Sequence, residues 1–213
     1  GLDPGRFIKG GKMKKILLVI LLVLCMTGCN DNTVNEDDNK TSNNACSLDS
    51  DCDVETADYL IAKNQITLED LYKKIDNKES FVLYMYFDKC PWCKELGPVV
   101  SDYVKDNEKL LNMTYSFNVR PDGERDHDYR YTNDDGEFNY PEFKELYDYI
   151  YDFLDEDKKV YVPTLMFVKN GEIVYYHVGT VDSHDASERT MTDDEMTELE
   201  DYIKEYYSIY EED

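Results

Sequence analysis

From residue 67 onward, stretches with apolar residues three and four apart alternate with short continuous apolar runs, the two periods that distinguish amphipathic helices from buried strands. Leu68, Leu71, Tyr72 and Ile75 mark a first helix. Thr67 is placed to cap it, with Asp70 three residues on giving a start like a capping box. Phe81 to Phe87 is apolar on both alternate sets, as a central strand covered on both faces requires. Leu96, Val99, Val100, Tyr103 and Val104 return to helical spacing. Pro91 falls at the first position of that helix, where its missing N–H costs nothing. Pro98, inside it, is expected to bend it.

Thr114 to Val119 reads as a second strand, followed by a polar, turn-rich excursion over residues 120–138. Phe143, Leu146, Tyr147, Ile150 and Leu154 mark another helix, which makes the Tyr-rich stretch Tyr140 to Tyr151 helix core and rim rather than a ligand box. Leu165–Val168 and Ile173–Tyr176 flank Asn170-Gly171, the strongest short signal for a hairpin. Thr192 then caps a last helix carrying Met196, Leu199, Ile203 and Tyr206. Helix, strand, helix, strand, helix, hairpin, helix predicts an α/β fold: a central mixed sheet flanked by helices.

The N-terminal apolar run is of another kind. Met13-Lys14-Lys15, then Ile16 to Leu24, then Cys25-Met26-Thr27-Gly28-Cys29 has the basic start, short apolar core and small-residue end of a secretory signal. The core is shorter than the roughly 20 residues of a spanning helix. Residues 1–12 read as an upstream scar and 13–28 as the signal. Met26-Thr27-Gly28-Cys29 resembles a bacterial lipobox, which implies lipid on Cys29 and attachment to the membrane without crossing it. The alternative is an ordinary signal with an incidental cysteine.

Residues 30–45 contain only Val34 and Ala45 as apolar residues and bury too little surface to order themselves. Residues 29–54 therefore read as an acidic, Asn-rich tether, and 55–213 as one domain. The formal charge is −24, and residues 1–28 carry five Lys/Arg against one Asp, so the chain from Cys29 carries about −28. Such a surface excludes nucleic-acid binding and adsorption to anionic lipid, and it calls for no basic partner.

Six cysteines are present. Cys25 goes with the signal and Cys29 with lipid, leaving Cys46, Cys52, Cys90 and Cys93 for a compartment in which disulfides persist. Cys46 and Cys52 close a small loop, read as a structural disulfide over a second redox pair. Asp49, Asp51 and Asp53 lack the glycine and terminal Glu of a calcium loop. Cys90-Pro91-Trp92-Cys93 suits a metal or a redox pair by spacing alone. Its position, directly after a buried strand and at the start of a helix, favours thiolate chemistry, because a helix N-terminus stabilises negative sulfur. A zinc site would need two further ligands, with His177 and His184 on offer and no second close pair. His127 completes the three histidines and joins no constellation.

Beyond the cysteine pair, Cys90-Pro91-Trp92-Cys93-Lys94 with Pro98, then Val162-Pro163-Thr164, then the hairpin through Lys169-Asn170-Gly171-Glu172 to Val178-Gly179 together resemble the thioredoxin superfamily. The resemblance covers residues 65–206 apart from the central excursion. More narrowly, the chain is similar to exported thioredoxin-like lipoproteins of Gram-positive bacteria, including bacteriocin transport accessory proteins. It implies a thioredoxin-like fold with Cys90 as the more exposed, attacking thiol and Cys93 as the resolving thiol. It also implies Pro91 and Trp92 as active-site support, and a cis Pro163 whose preceding Val162 pairs with an extended substrate.

The implied function is extracytoplasmic thiol-disulfide exchange on protein disulfides, by a lipid-anchored monomer without cofactor that a membrane or extracytoplasmic redox partner recharges. Reductase or exchange activity is favoured over oxidase. The competing reading is a non-catalytic binding or secretion-accessory module. Two departures stand out. Many thioredoxins carry a buried aspartate six positions before the first cysteine, where this chain has Tyr84, a phenol neutral near pH 7; the assisting base then lies elsewhere or is water. The 69 residues between Cys93 and Pro163 also imply an insertion before the cis-proline segment. Residues 120–138 are its best candidate, either functional or a plain surface loop.

Overall fold

Phe81–Tyr86, strand β1, is buried along its whole length, and the fold is organised around it. The structure is a computed structural model and describes residues 59–211. The segments expected to be signal and tether, with Cys29, Cys46 and Cys52, lie outside the described residues. Thr67 caps helix α1 (Leu68–Asp76) by accepting from Asp70 N at 3.1 Å, as the sequence pattern predicts. After β1 come α2 (Pro91–Val104), α3 (Glu108–Met113) and β2 (Thr114–Asn118). Helix α4 (Phe143–Ile150), the hairpin β3 (Thr164–Lys169) and β4 (Glu172–Val178), and α5 (Asp193–Ser208) complete the order.

The four strands form an open mixed sheet in the order β2-β1-β3-β4. β1 runs parallel to β2 and antiparallel to β3, and β4 is antiparallel to β3. Alternation along β1 and β3 builds two cores. Val82, Tyr84, Tyr86, Leu165 and Phe167 face α2 and α5. Phe81, Leu83, Met85, Met166 and Val168 face α1 and α4. This is why β1 reads as one unbroken apolar run: neither set of alternate side chains meets water, and each fully buried one contributes about 1.5–3 kcal/mol.

The hairpin turn has Asn170 at φ 55° and Gly171 at φ 80°, the left-handed pair that matches the twist of two antiparallel strands. Thr192 and Glu195 form a true capping box at the start of α5.

Two features differ from the sequence expectation. Helix α3 is not foreseen, because its six residues bury only Leu110 and leave no periodicity to read; Asn107 caps it, accepting from Leu110 N at 3.2 Å. The helix expected to carry Leu154 ends at Ile150 and tightens into a 3-10 turn over Tyr151–Phe153, with Leu154 buried just beyond. The length between Cys93 and Pro163 is thus shared between α3 and the 120–138 excursion, which folds into a 3-10 turn at Arg125–His127 and a bridge from Thr132 to Phe138. Pro98 lies inside a single continuous α2.

Candidate active site

Strand register brings the site together. In the antiparallel pair, Met85 of β1 lies opposite Thr164 of β3. The chain leaving β1 towards Cys90 and the chain entering β3 from Val162-Pro163 therefore meet at one end of the sheet. The parallel neighbour ends there too: Asn118 pairs with Tyr86, and Val119 N donates to the Tyr86 carbonyl at 2.8 Å.

Cys90 is the N-cap of α2, and its backbone N–H donates to the Phe87 carbonyl at 3.2 Å. Cys93, one turn on, donates its backbone N–H to Cys90 Sγ at 3.1 Å. The two sulfurs are within disulfide-bonding distance, with Cα atoms 5.1 Å apart. This donor and the positive end of α2 both favour negative charge on Cys90. The Val162–Pro163 peptide is cis, and the Val162 carbonyl oxygen lies 3.8 Å from Cys90 Sγ. Pro91 is exposed at the first position of α2, Trp92 is half-buried against the α2/α5 core, Val162 is half-buried and Pro163 buried. All six residues singled out around the dithiol therefore gather at one sheet end. One expectation shifts: Cys90 is only 2% exposed, against 1% for Cys93, because the cis-proline segment closes over it.

Tyr84 occupies the position of interest beneath α2. Fully buried, it donates its phenolic O–H to the Cys93 carbonyl at 2.9 Å, and its oxygen is 2.9 Å from the Tyr59 hydroxyl. Burial, then Tyr59 and Tyr86, holds its phenol well above the ordinary range, so it stays a neutral donor. Tyr59 lies across Gly97 of α2, where any Cβ would run into its ring; the glycine is there for that close approach. Removing the hydroxyl in Tyr84→Phe leaves Tyr59 without its partner and the Cys93 carbonyl with one bond fewer. The variant is expected to lose about 1–3 kcal/mol, read as a lower urea midpoint at unchanged slope.

The excursion contributes a second unforeseen element. Asp128, fully buried, accepts from Arg120 Nη2 at 2.8 Å and from Arg130 Nε and Nη2 at 2.8 and 2.7 Å. Burial works to raise its pKa, but Arg130 and then Arg120 outweigh it and hold the carboxyl below its usual range. Arg120 lies 4.1 Å over the ring of Phe87, and Arg130 Nη1 donates to the Val160 carbonyl at 3.2 Å. No hydrophobic period marks these residues; three lone charged side chains in a polar stretch give the sequence nothing to distinguish them from surface.

The histidines stand apart from the dithiol chemistry. Both ring nitrogens of His184 are engaged, with Thr180 Oγ1 at 2.7 Å and the Arg189 carbonyl at 2.9 Å, so it offers no free ligand. His127 pairs with Asp122 at the surface. His177 is 1% exposed, and neither ring nitrogen has a well-formed hydrogen bond. Among the described residues, no group of three or more His, Cys, Asp or Glu is placed to hold a metal ion, and no helix is long and apolar enough to cross a membrane. A scan against protein-family models finds none that matches the chain, and a search of curated proteins finds no match either.

Proposed function

We propose that the chain is a thiol-disulfide oxidoreductase with a thioredoxin-like fold, acting on protein disulfides outside the cytoplasm. The observation that carries this reading is Cys90 at the N-cap of α2, beside Cys93 and 3.8 Å from the carbonyl before a cis proline. In the reducing direction, the Cys90 thiolate attacks one sulfur of a substrate disulfide, whose other sulfur leaves as thiolate. Cys93 then attacks Cys90 Sγ and expels the second substrate sulfur. The substrate gains two electrons and the Cys90–Cys93 pair closes as a disulfide, to be reopened by a membrane or extracytoplasmic redox partner.

Reduction or exchange is the favoured direction, since Pro91-Trp92 adds neither charge nor imidazole beside Cys90. The proposed location is the outer face of the cytoplasmic membrane, reached by a lipid on Cys29 and the 30–45 tether; it rests on the sequence. A redox titration of the Cys90/Cys93 pair tests the direction. A potential near about −270 mV fits a reductase, and one near about −120 mV overturns that preference for an oxidase.

A second reading draws on the burial of both sulfurs: a thioredoxin-like binding module whose disulfide is structural. It predicts partners held without covalent exchange, whereas the first predicts adducts through Cys90.

A further inference from the structure

We propose that Arg120, Asp128 and Arg130 form a clamp that fixes the gap between Cys90 and the Val162 carbonyl, and that this clamp favours extended peptide disulfides over small disulfides as substrates. The proposal rests on the dithiol reading and assigns a role to the polar excursion within it.

Two separate strands of contact carry it. On one side, Arg120 stacks 4.1 Å over Phe87, whose carbonyl receives the Cys90 N–H at 3.2 Å. On the other, Arg130 Nη1 holds the Val160 carbonyl at 3.2 Å, two residues before Val162. Asp128 joins the two halves, bonding both guanidinium groups from a fully buried position, while the arginine side chains are only 12% and 13% exposed. The cluster is anchored to the sheet, since Tyr129 N donates to the Val119 carbonyl at 3.0 Å. A buried, bidentate arrangement with a planar stack has one geometry, unlike a surface ion pair. Because Phe87 leads into Cys90 and Val160 leads into Val162, holding the two segments together fixes how the Val162 carbonyl sits beside Cys90 Sγ, where an extended chain would lie. A small disulfide needs only the sulfur; a peptide must also lie along Val162. Arg120, Asp128 and Arg130 are thus positioning residues.

Arg130→Lys keeps the positive charge beside Asp128 but cannot grip both the carboxylate and the Val160 carbonyl in the same plane. Reduced protein is mixed with a disulfide-bonded peptide and, separately, with 5,5′-dithiobis(2-nitrobenzoic acid). The expected result is a peptide rate lower by about tenfold with the small-disulfide rate within about twofold of the parent. Arg120→Lys, which gives up the stack on Phe87, is the second variant, with the same expectation should Arg130→Lys fail to fold. Equal loss towards both disulfides, or no loss towards either, overturns the clamp while the parent remains reactive. A parent inert to both disulfides overturns the dithiol reading, and the clamp with it.

Discussion

Cys93→Ser will accumulate covalent adducts with peptide or protein disulfides, and Cys90→Ser will accumulate none. Under the proposed chemistry the first attack belongs to Cys90, whose Sγ accepts the Cys93 N–H at 3.1 Å at the start of α2. Serine at position 93 leaves that attack intact and removes the neighbouring thiol that releases the adduct, so the mixed disulfide persists until an external thiol is added. Serine at 90 removes the nucleophile, and turnover should fall by roughly a thousandfold or more. Non-reducing electrophoresis of both variants after exposure to a peptide disulfide, with and without dithiothreitol, reads the outcome. Equal partner retention by both variants, insensitive to dithiothreitol, would replace the enzyme reading with the binding module.

Acidification from about pH 7 to about pH 4 is expected to cost the fold about 3 kcal/mol through His177 alone. Burial, only slightly offset by backbone at Thr180 and Gly179, pulls its pKa from 6.5 down to about 4. In the unfolded chain the imidazole takes up its proton near the ordinary value. Between those two values the unfolded chain holds one proton more, so stability is full above about pH 6.5 and falls as the pH drops, the loss being complete near about pH 4. The ring sits between β4 and α5, with the Tyr202 and Tyr206 ring centroids 6.0 and 5.8 Å away. His177→Phe retains a ring of similar shape and cannot titrate. Urea unfolding of both proteins at about pH 7 and pH 4.5 should therefore show a clearly shallower pH dependence for the variant; identical dependence would count against the assignment. Glu195, held far below the usual carboxylate range first by its bond to Arg189, begins to lose its own contribution only as the pH falls into the ordinary carboxylate range at the acid end of this window, and it does so equally in both proteins.

Much of this architecture is written in periodicity. The doubly apolar run at Phe81–Tyr86, the caps at Thr67 and Thr192 and the turn at Asn170-Gly171 all act locally, so each leaves a mark in the residues themselves. The gathering of Cys90, Cys93, Val162 and Pro163 follows only from what the resemblance implies for the two motifs, since a cysteine pair after one strand and a proline before another do not by themselves say that those strand ends meet. What escaped is the set of partners far apart in sequence. Tyr59 and Tyr84 are separated by 25 residues, and Arg130 reaches Val160 across 30. A hydroxyl or guanidinium announces that it needs a partner and not which one. The closure of Val162 over Cys90 likewise depends on the β1/β3 register, and the β1 pattern alone, apolar on both faces, does not specify it.

That register has another safeguard. Of the alternate side chains of β1, one set ends in two phenols and the other has no hydrogen-bonding group: Tyr84 and Tyr86 point towards α2, Phe81, Leu83 and Met85 towards α1 and α4. Tyr84 finds the Cys93 carbonyl and Tyr59, and Tyr86 is donated a bond by Gln65 Nε2 at 3.2 Å. A slip of one residue would turn both hydroxyls into the opposite core, away from the Cys93 carbonyl, Tyr59 and Gln65, and each left without a partner costs about 1–3 kcal/mol. It would also carry Cys90 roughly 3.3 Å along Pro163. The two tyrosines thus favour the native pairing of strands, and with it the placement of the Cys90–Cys93 pair beside Pro163.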